Sequence, residues 1–287
     1  MKILVTGGLG FVGSNLVDKL VDQKHKVYVI DNMSSESATT KNINKKADYE
    51  FPKCITKIDS IYSGKRFDAI FHLAAEARIQ PSFEEPLKYL KSNMYGTAAV
   101  MEYARNTKSG IVVYATTSSK NHGSPYITPY TYSKVAGEDI LKMYSHCFGI
   151  NCAMATFYNV YGPREPKKGE WATVVAKFLR QYKEGEDLTV VGDGQQSRDF
   201  THVDDICDGL IRISEGNWKA HNFDLGRGEP VKILDLAKMI CDDESKIKFT
   251  PLRKNEGMHT ISEWKKTETL LGWRAKQDLK TYIKQNK

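Results

Sequence analysis

Thr6-Gly7-Gly8-Leu9-Gly10-Phe11-Val12-Gly13 stands between a short apolar run, residues 3–6, and a helical pattern over residues 12–23. A strand, a glycine turn and a helix in that order make a phosphate cradle. Gly7 permits the tight turn, Gly10 lets backbone approach a pyrophosphate, and Gly13 lets helix and strand pack closely. The helix start adds unpaired N–H groups and a partial positive charge. Asp31-Asn32 follows a second apolar run at 26–30. An acid about 20 residues beyond the glycines suits adenosine ribose hydroxyls and repels a 2′-phosphate, so the expected cofactor is NAD rather than NADP. The competing interpretation is a glycine turn and a strand-end aspartate that bind nothing.

Working outward, apolar runs at 69–73, 110–115 and 151–156 alternate with helical patterns at 87–105 and 130–147. Strands rich in Val and Ile, with little alternation, belong to a parallel sheet covered on both faces. Right-handed crossovers make it an α/β, Rossmann-type doubly wound sheet, with its ligand crevice at the carboxyl ends of the strands. After residue 160 the run Tyr161-Gly162-Pro163-Arg164-Glu165-Pro166 is rich in turn formers. A helix at 173–182, a strand at 188–191, a helix at 203–214, a strand near 223–225 and three later helices are expected beyond it. The expected division is an NAD-binding unit over 1–160, to which a segment near 203–226 returns. A smaller mixed α/β substrate unit spans 161–287.

The 287 residues suffice for one large unit or two coupled ones, and 40% hydrophobic with 27% charged residues is ordinary for a globular chain. No apolar run approaches the roughly 18 residues of a membrane span, and the start is too short for a secretion signal. The expectation is a cytoplasmic protein that makes no membrane contact. Cys54, Cys147, Cys152, Cys207 and Cys241 form no CxxC pair and no metal spacing, so no metal is expected. The net charge of +7 is spread along the chain, which reads as a solvated face before it reads as a nucleic-acid surface.

Pro129-Tyr130-Thr131-Tyr132-Ser133-Lys134 puts Tyr130 and Lys134 four apart on one helix face. An ammonium near a phenol favours phenolate, which makes Tyr130 a candidate general base. Placed after the fifth element of a glycine-loop sheet, this pair resembles the extended short-chain dehydrogenase/reductase family, in particular its NAD-dependent epimerase/dehydratase branch. The similarity is to UDP-glucose/UDP-galactose 4-epimerase-like nucleotide-sugar epimerases. It also rests on His72-Leu73-Ala74-Ala75, Ser92-Asn93, Phe157-Tyr158-Asn159-Val160-Tyr161-Gly162-Pro163-Arg164, Gly192-Asp193-Gly194, Arg198-Asp199-Phe200, His202-Val203-Asp204-Asp205 and Leu270-Leu271-Gly272-Trp273.

The resemblance implies that Gly7, Gly10, Phe11, Val12, Gly13, Asp31, Asn32 and Asp59 line the NAD site, together with Leu73, Ala74, Ala75 and Asn93. Thr117, Tyr130 and Lys134 would form the catalytic triad, and Tyr158 would lie beside the nicotinamide. Asn159, Arg198 and Arg253 would hold the diphosphate of a nucleoside-diphosphate sugar, since guanidinium forks suit phosphate oxygens. Glu256 would bind the nucleoside ribose. A surface ion pair is the alternative for Arg253. Ser82 or Arg78 is expected near the sugar, with a structural turn as the alternative. The helices at 87–105 and 130–147 resemble those that pair in homodimers of the family.

Relatives differ just after the catalytic Ser/Thr. The 4,6-dehydratases carry Asp-Glu there, and decarboxylases and GDP-mannose dehydratases keep a glutamate. Ala115-Thr116-Thr117-Ser118-Ser119-Lys120 has no acid and looks most like C4 epimerases. The expected reaction is inversion at C4 through a transient 4-keto sugar. A dehydratase, decarboxylase or reductase of the same family, and a silent NAD- or RNA-binding relative, remain as alternatives. Lys120-Asn121-His122-Gly123 departs from the usual Val-Tyr-Gly, and the stretch from Thr117 to Tyr130 is short. His122 reads as a solvent-exposed loop residue.

Overall fold

The computed structural model describes residues 1–169, 171–252 and 257–287. Seven strands build the main sheet: β1 (Lys2–Thr6), β2 (Lys26–Ile30), β3 (Asp48–Glu50), β4 (Ala69–His72), β5 (Ile111–Thr117), β6 (Cys152–Phe157) and, much later, a strand at His221–Leu225. Every pairing among them is parallel. The chain runs outward from β1 through β2 to β3, then crosses back to β4 on the other flank and continues through β5 and β6. The His221–Leu225 strand closes that flank beside β6. The switch point therefore lies between β1 and β4, where a doubly wound sheet opens its crevice.

Strand side chains alternate between the two faces, and both faces are covered. Ile3, Val5, Val27 and Val29 pack with Leu16, Val17 and Leu20 of helix α1 (Phe11–Asp22). Leu4, Ile30, Ile70, Val112 and Tyr114 pack on the other face with Val100, Met101 and Leu141. The helices on this second face are α2 (Ile58–Ile61), α3 (Pro81–Glu84), α4 (Pro86–Tyr89), α5 (Gly96–Thr107) and the 20-residue α6 (Pro129–Phe148). The single helix expected over 87–105 is thus interrupted. A π-helical turn at Leu90–Tyr95 separates α4 from α5, and the Asn93 amide lies within it. Strand β3 was not expected from the sequence, because Asp-Tyr-Glu at a sheet edge carries no apolar run.

Beyond β6 the strands are short: β7 (Val160–Tyr161), β8 (Leu188–Val191), β9 (Ser197–Asp199), β10 (Thr201–His202), β11 (the sheet strand His221–Leu225), β12 (Pro230–Lys232) and β13 (Ile247–Thr250). They pair as β7 with β10, β9 with β12 and β8 with β13. A third core joins α7 (Val174–Lys183), β8 and α9 (Ile233–Ile240) through Phe178, Leu188, Val190, Leu236 and Ile240. Helix α8 (Val203–Ser214) instead adds Val203, Ile206, Leu210 and Ile213 to the first face of the main sheet. Helices α10 (Trp264–Leu271) and α11 (Leu279–Asn286) complete the chain. No helix among the described residues is long and apolar enough to cross a membrane.

Trp273 ties the C-terminal stretch to the main sheet. Its ring is 2% exposed within the first core, and its indole N–H donates to the Asp205 carbonyl at 3.0 Å. Truncation of a packed aromatic of this size costs about 3–5 kcal/mol. Trp273→Ala should therefore lower the unfolding free energy by that amount in urea titration. A loss below about 1 kcal/mol would show that α10 and the tail pack independently of the sheet.

Candidate active site

At the carboxyl ends of β1, β2, β4, β5 and β6 lies a cavity of about 550 Å³. The glycine turn forms one wall. Gly7 adopts φ +73°, in the left-handed region, and a Cβ on Gly13 would overlap the Gly7 carbonyl oxygen. At Gly10 the situation is reversed. A Cβ there would meet nothing closer than the Gly7 oxygen at 3.5 Å, and Gly10 lines the cavity. Helix α1 begins at this point with no capping side chain and no acid in its first turn. The Phe11 N–H is donated to Ser37 Oγ at 3.3 Å, and the bare glycines leave room at this helix start for a pyrophosphate. Phe11, Val12, Asp31 and Asn32 line the same end. The Asp31 carboxylate accepts the N–H groups of Leu9 at 2.9 Å and Met33 at 2.7 Å, which leaves lone pairs for ribose hydroxyls. Burial raises its pKa, and these two N–H groups pull it back.

Leu73, Ala74 and Ala75 form the opposite wall. Thr6 at the end of β1 fixes them: its hydroxyl accepts the Ala74 N–H at 3.1 Å and pairs with His72 Nδ1 at 2.8 Å. His72 Nε2 pairs with Thr97 at 3.0 Å, and burial drives the ring's pKa down to about 3, so this histidine is neutral.

Thr117, Tyr130 and Lys134 meet in the middle of the cavity. Thr117 ends β5 and caps the turn after it by accepting the Ser119 N–H at 3.1 Å. Tyr130 and Lys134 ride the first turns of α6, whose start is capped by Thr128 accepting the Thr131 N–H at 2.9 Å. Burial pushes the Tyr130 phenol up, while a hydrogen bond from Thr117 and the charge of Arg78 pull it down. Burial drives Lys134 down to about 7, and Glu138 one turn later opposes this. The Lys134 ammonium lies 4.2 Å from the centroid of the Tyr114 ring. The charge of Arg78 near the phenol is an influence that the i, i+4 spacing does not reveal.

Asn159 and Arg198 line the far end, with Lys177, Gln196 and Val191. Several expected residues lie elsewhere. Tyr158 is fully buried, and its hydroxyl donates to Asp224 at 2.8 Å and accepts from Asn121 at 3.1 Å. Phe157, one residue earlier, lines the cavity instead, because side chains alternate at the end of β6. Asp59 is exposed on α2, and Cys54 and Ile55 line the wall that it was expected to line. Asn93 is buried outside the cavity. Its amide bridges both backbone groups of Glu76 and the Ser133 hydroxyl, so it positions the wall rather than lining it. Ser82 is buried and donates to the Ile79 carbonyl, whereas Arg78 lines the cavity. Arg253 and Glu256 fall outside the described residues. His122, expected to be solvent-exposed, lines the cavity against Gly257. The unusual Lys120 is paired with Glu138 at 2.6 Å. Among the described residues no cluster of His, Cys, Asp or Glu could hold a metal ion.

A doubly wound sheet, an open glycine cradle and a Tyr/Lys pair beside it define an NAD-dependent enzyme of the Rossmann class. The sequence profile of the NAD dependent epimerase/dehydratase family matches residues 3–226, and the chain belongs to that family. It is 32% identical to a UDP-glucose 4-epimerase of Mycolicibacterium smegmatis, over 95% of this chain and 93% of that one. It is 29% identical to UDP-glucuronic acid decarboxylase 1 of Danio rerio, over 95% of this chain and 68% of that one. Among solved structures, a UDP-glucose 4-epimerase of Thermotoga maritima with UDP-glucose superposes with a TM-score of 0.92. The two are 30% identical, over 99% of this chain and 96% of that one.

Gly10 has φ −76°, which alanine adopts freely, and it lines the cavity with open space around the position of a Cβ. Gly10→Ala should leave stability within about 0.5 kcal/mol and raise the Kd for NAD by roughly 10-fold or more. Unaltered NAD affinity would place the pyrophosphate elsewhere.

Lys134, at about 7, is largely neutral at pH 8 before NAD arrives. If NAD is held by the ammonium, binding at pH 8 draws a proton from the buffer. The binding enthalpy should then vary with the buffer's ionisation enthalpy, with uptake of up to about one proton. Glu138→Gln removes the charge that supports the ammonium, so uptake should begin at lower pH. An enthalpy independent of buffer at pH 8 would mean that Lys134 acts as a neutral amine.

Proposed function

We propose that this chain is an NAD-dependent nucleotide-sugar 4-epimerase, which inverts C4 of a nucleoside-diphosphate sugar through a 4-keto sugar. One observation carries the reading. Among the described residues lining the cavity, Asp31 is the single acid, and it stands at the glycine-turn end. Elimination of water needs an acid and a base beyond the carbonyl-forming pair, and Ser118 and Ser119 stand beside Thr117 where relatives carry acids. A site with a phenolate base and, among the described residues, no acid beside it is suited to oxidation and reduction at one carbon.

The glycine turn, Asp31 and the 73–75 wall would hold NAD, which supplies the acceptor and donor of hydride when bound. Thr117 hydrogen-bonds the sugar 4-hydroxyl and Tyr130, as phenolate, takes its proton. Lys134 binds the ribose next to the nicotinamide. Asn159 and Arg198 hold the diphosphate, about which the ketone turns to present its other face, and Tyr130 then returns the proton. In this reading residues 161–287, apart from α8 and β11, form the substrate unit, and the rest form the cofactor unit.

Tyr130→Phe keeps the ring and removes the proton acceptor. Loss of a general base costs about 10²–10⁴-fold in rate. We expect kcat for interconversion of two C4 epimers to fall by that factor, with NAD affinity and Tm nearly unaltered. Full activity in a folded Tyr130→Phe protein would remove the mechanism. Products that differ in mass from the substrate would instead assign a dehydratase or decarboxylase.

A further inference from the structure

We propose that Lys120 is a positioning residue: it holds the Glu138 carboxylate, keeps it from closing on Lys134, and so leaves the Lys134 ammonium available to the cofactor. This rests on the reading of Lys134 as the group that binds the nicotinamide ribose.

One buried carboxylate stands between two lysines. Glu138 follows Lys134 by one turn of α6, so their Cβ atoms share a face about 5–6 Å apart. Yet Glu138 pairs with the other lysine. Lys120 Nζ meets Glu138 Oε1 at 2.6 Å, and the Thr116 hydroxyl donates to the same oxygen. The Lys134 ammonium makes no ion pair among the described residues and lies 4.2 Å from the Tyr114 ring centroid. Lys134 and Glu138 are both buried, so little water reaches a carboxylate that loses its partner. Without Lys120, the cation in reach of Glu138 is Lys134.

Lys120 is itself held by a pinned turn. Ser118–Asn121 form one tight helical turn, which Thr117 caps by accepting the Ser119 N–H at 3.1 Å. Asn121 anchors its other end by donating to the Tyr158 hydroxyl at 3.1 Å. Thr116 and Thr117 are neighbours on β5, so the strand that carries Thr117 into the cavity also carries the turn that aims Lys120 at α6. Lys120-Asn121-His122-Gly123 stands where the family pattern has Val-Tyr-Gly, so this ion pair is not one that the pattern supplies.

The charges around Lys134 agree with this role. Facing it are Tyr114 from β5, the neutral His72 from β4, whose ring lies 5.4 Å from that of Tyr114, and Tyr130 and Glu138 from α6. Arg78, after β4, lines the same cavity. Of these groups Glu138 alone is an acid, and it raises Lys134 against the effect of burial. Bound to Lys120 it does so weakly, because a second cation offsets its charge. Released, it would raise Lys134 further. Glu138 does not line the cavity, so closure on it would also draw the ammonium away from a bound ribose.

The test follows proton uptake on NAD binding against pH, by calorimetry in buffers of different ionisation enthalpy, with the Kd for NAD at pH 6. With Lys134 at about 7, uptake in wild type rises through that pH. Lys120→Met should move the midpoint up by about 1 pH unit. At pH 6, where Lys134 is charged in both proteins, the Kd should rise by roughly 5-fold. Lys120→Arg, which keeps the cation, should restore most of both values. Lys120→Gln keeps a donor without the charge; it should move the midpoint in the same direction, and serves where the methionine variant does not fold. With Glu138→Gln already in place, Lys120→Met should move the midpoint by no more than about 0.3 unit. A midpoint that stays or falls on loss of Lys120 overturns the inference, as does an equal rise without Glu138 or an unaltered Kd at pH 6. Lys134→Met separates this from the reading beneath it. If that variant abolishes uptake while loss of Lys120 does nothing, Lys134 keeps its role and Lys120 loses its own. If uptake persists without Lys134, or wild type shows none, both fall.

Discussion

Gly13 sits so close to the carbonyl of Gly7 that no side chain fits between them, and the site depends on that contact. It sets where α1 starts relative to the end of β1, and so aims the helix N-terminus across the cavity mouth. Strand β1 is held between β2 and β4, with Ile3, Leu4 and Val5 wholly buried, so the turn has a rigid base. The neighbouring wall is tied to the same strand through Thr6, which accepts the Ala74 N–H and pairs with a neutral His72. A charged His72 would break this wall, and burial keeps it uncharged.

Local physics made the cofactor half legible in the sequence. The main strands are covered on both faces and read as unbroken apolar runs. Glycine turn chemistry is confined to eight residues, and Tyr130 and Lys134 share a face because four residues make about one helical turn. The features that were missed depend on more distant relations. Tyr158 and Phe157 were exchanged because one residue at the end of β6 reverses which side chain faces the cavity. The expected helix over 87–105 is broken by a π turn, within which Asn93 reaches Glu76 and Ser133, residues far from it in sequence. Nothing near Arg78 in the chain announces Trp171, which positions it. His122 faces the cavity because the chain returns at Gly257, 135 positions later (257 − 122).

Burial poises the proton chemistry but does not complete it. Without ligands, Tyr130 is held above an ordinary phenol and Lys134 is brought down to about 7, so each is pressed toward its neutral form. A phenolate and an ammonium suit each other, and negative charge added beside Lys134 favours the ammonium, which in turn favours the phenolate. Glu138 supports Lys134 and is itself bound by Lys120 and Thr116. The residue that breaks the usual Val-Tyr-Gly pattern thus reaches the machinery through one carboxylate. The departure from the family pattern alters the support behind the lysine without inserting an acid into the site.

The far side of the cavity is held by aspartates that look like catalytic residues and are not placed to act as such. Asp199 is wholly buried, and its carboxylate accepts the N–H groups of Arg227 at 3.0 Å, Gly228 at 2.9 Å and Ser262 at 3.0 Å. Asp205 does the same for Lys276 and Gln277, and Asp224 for Glu263. Each ties down the backbone N–H groups of a segment distant in the chain. The Arg198-Asp199 pair shows the division of labour along one strand. Successive side chains of β9 point to opposite faces, so the carboxylate that clamps residues 227, 228 and 262 directs its neighbour's guanidinium into the cavity. Adjacent residues thus serve two ends: Asp199 ties distant backbone together, and Arg198 lines the cavity.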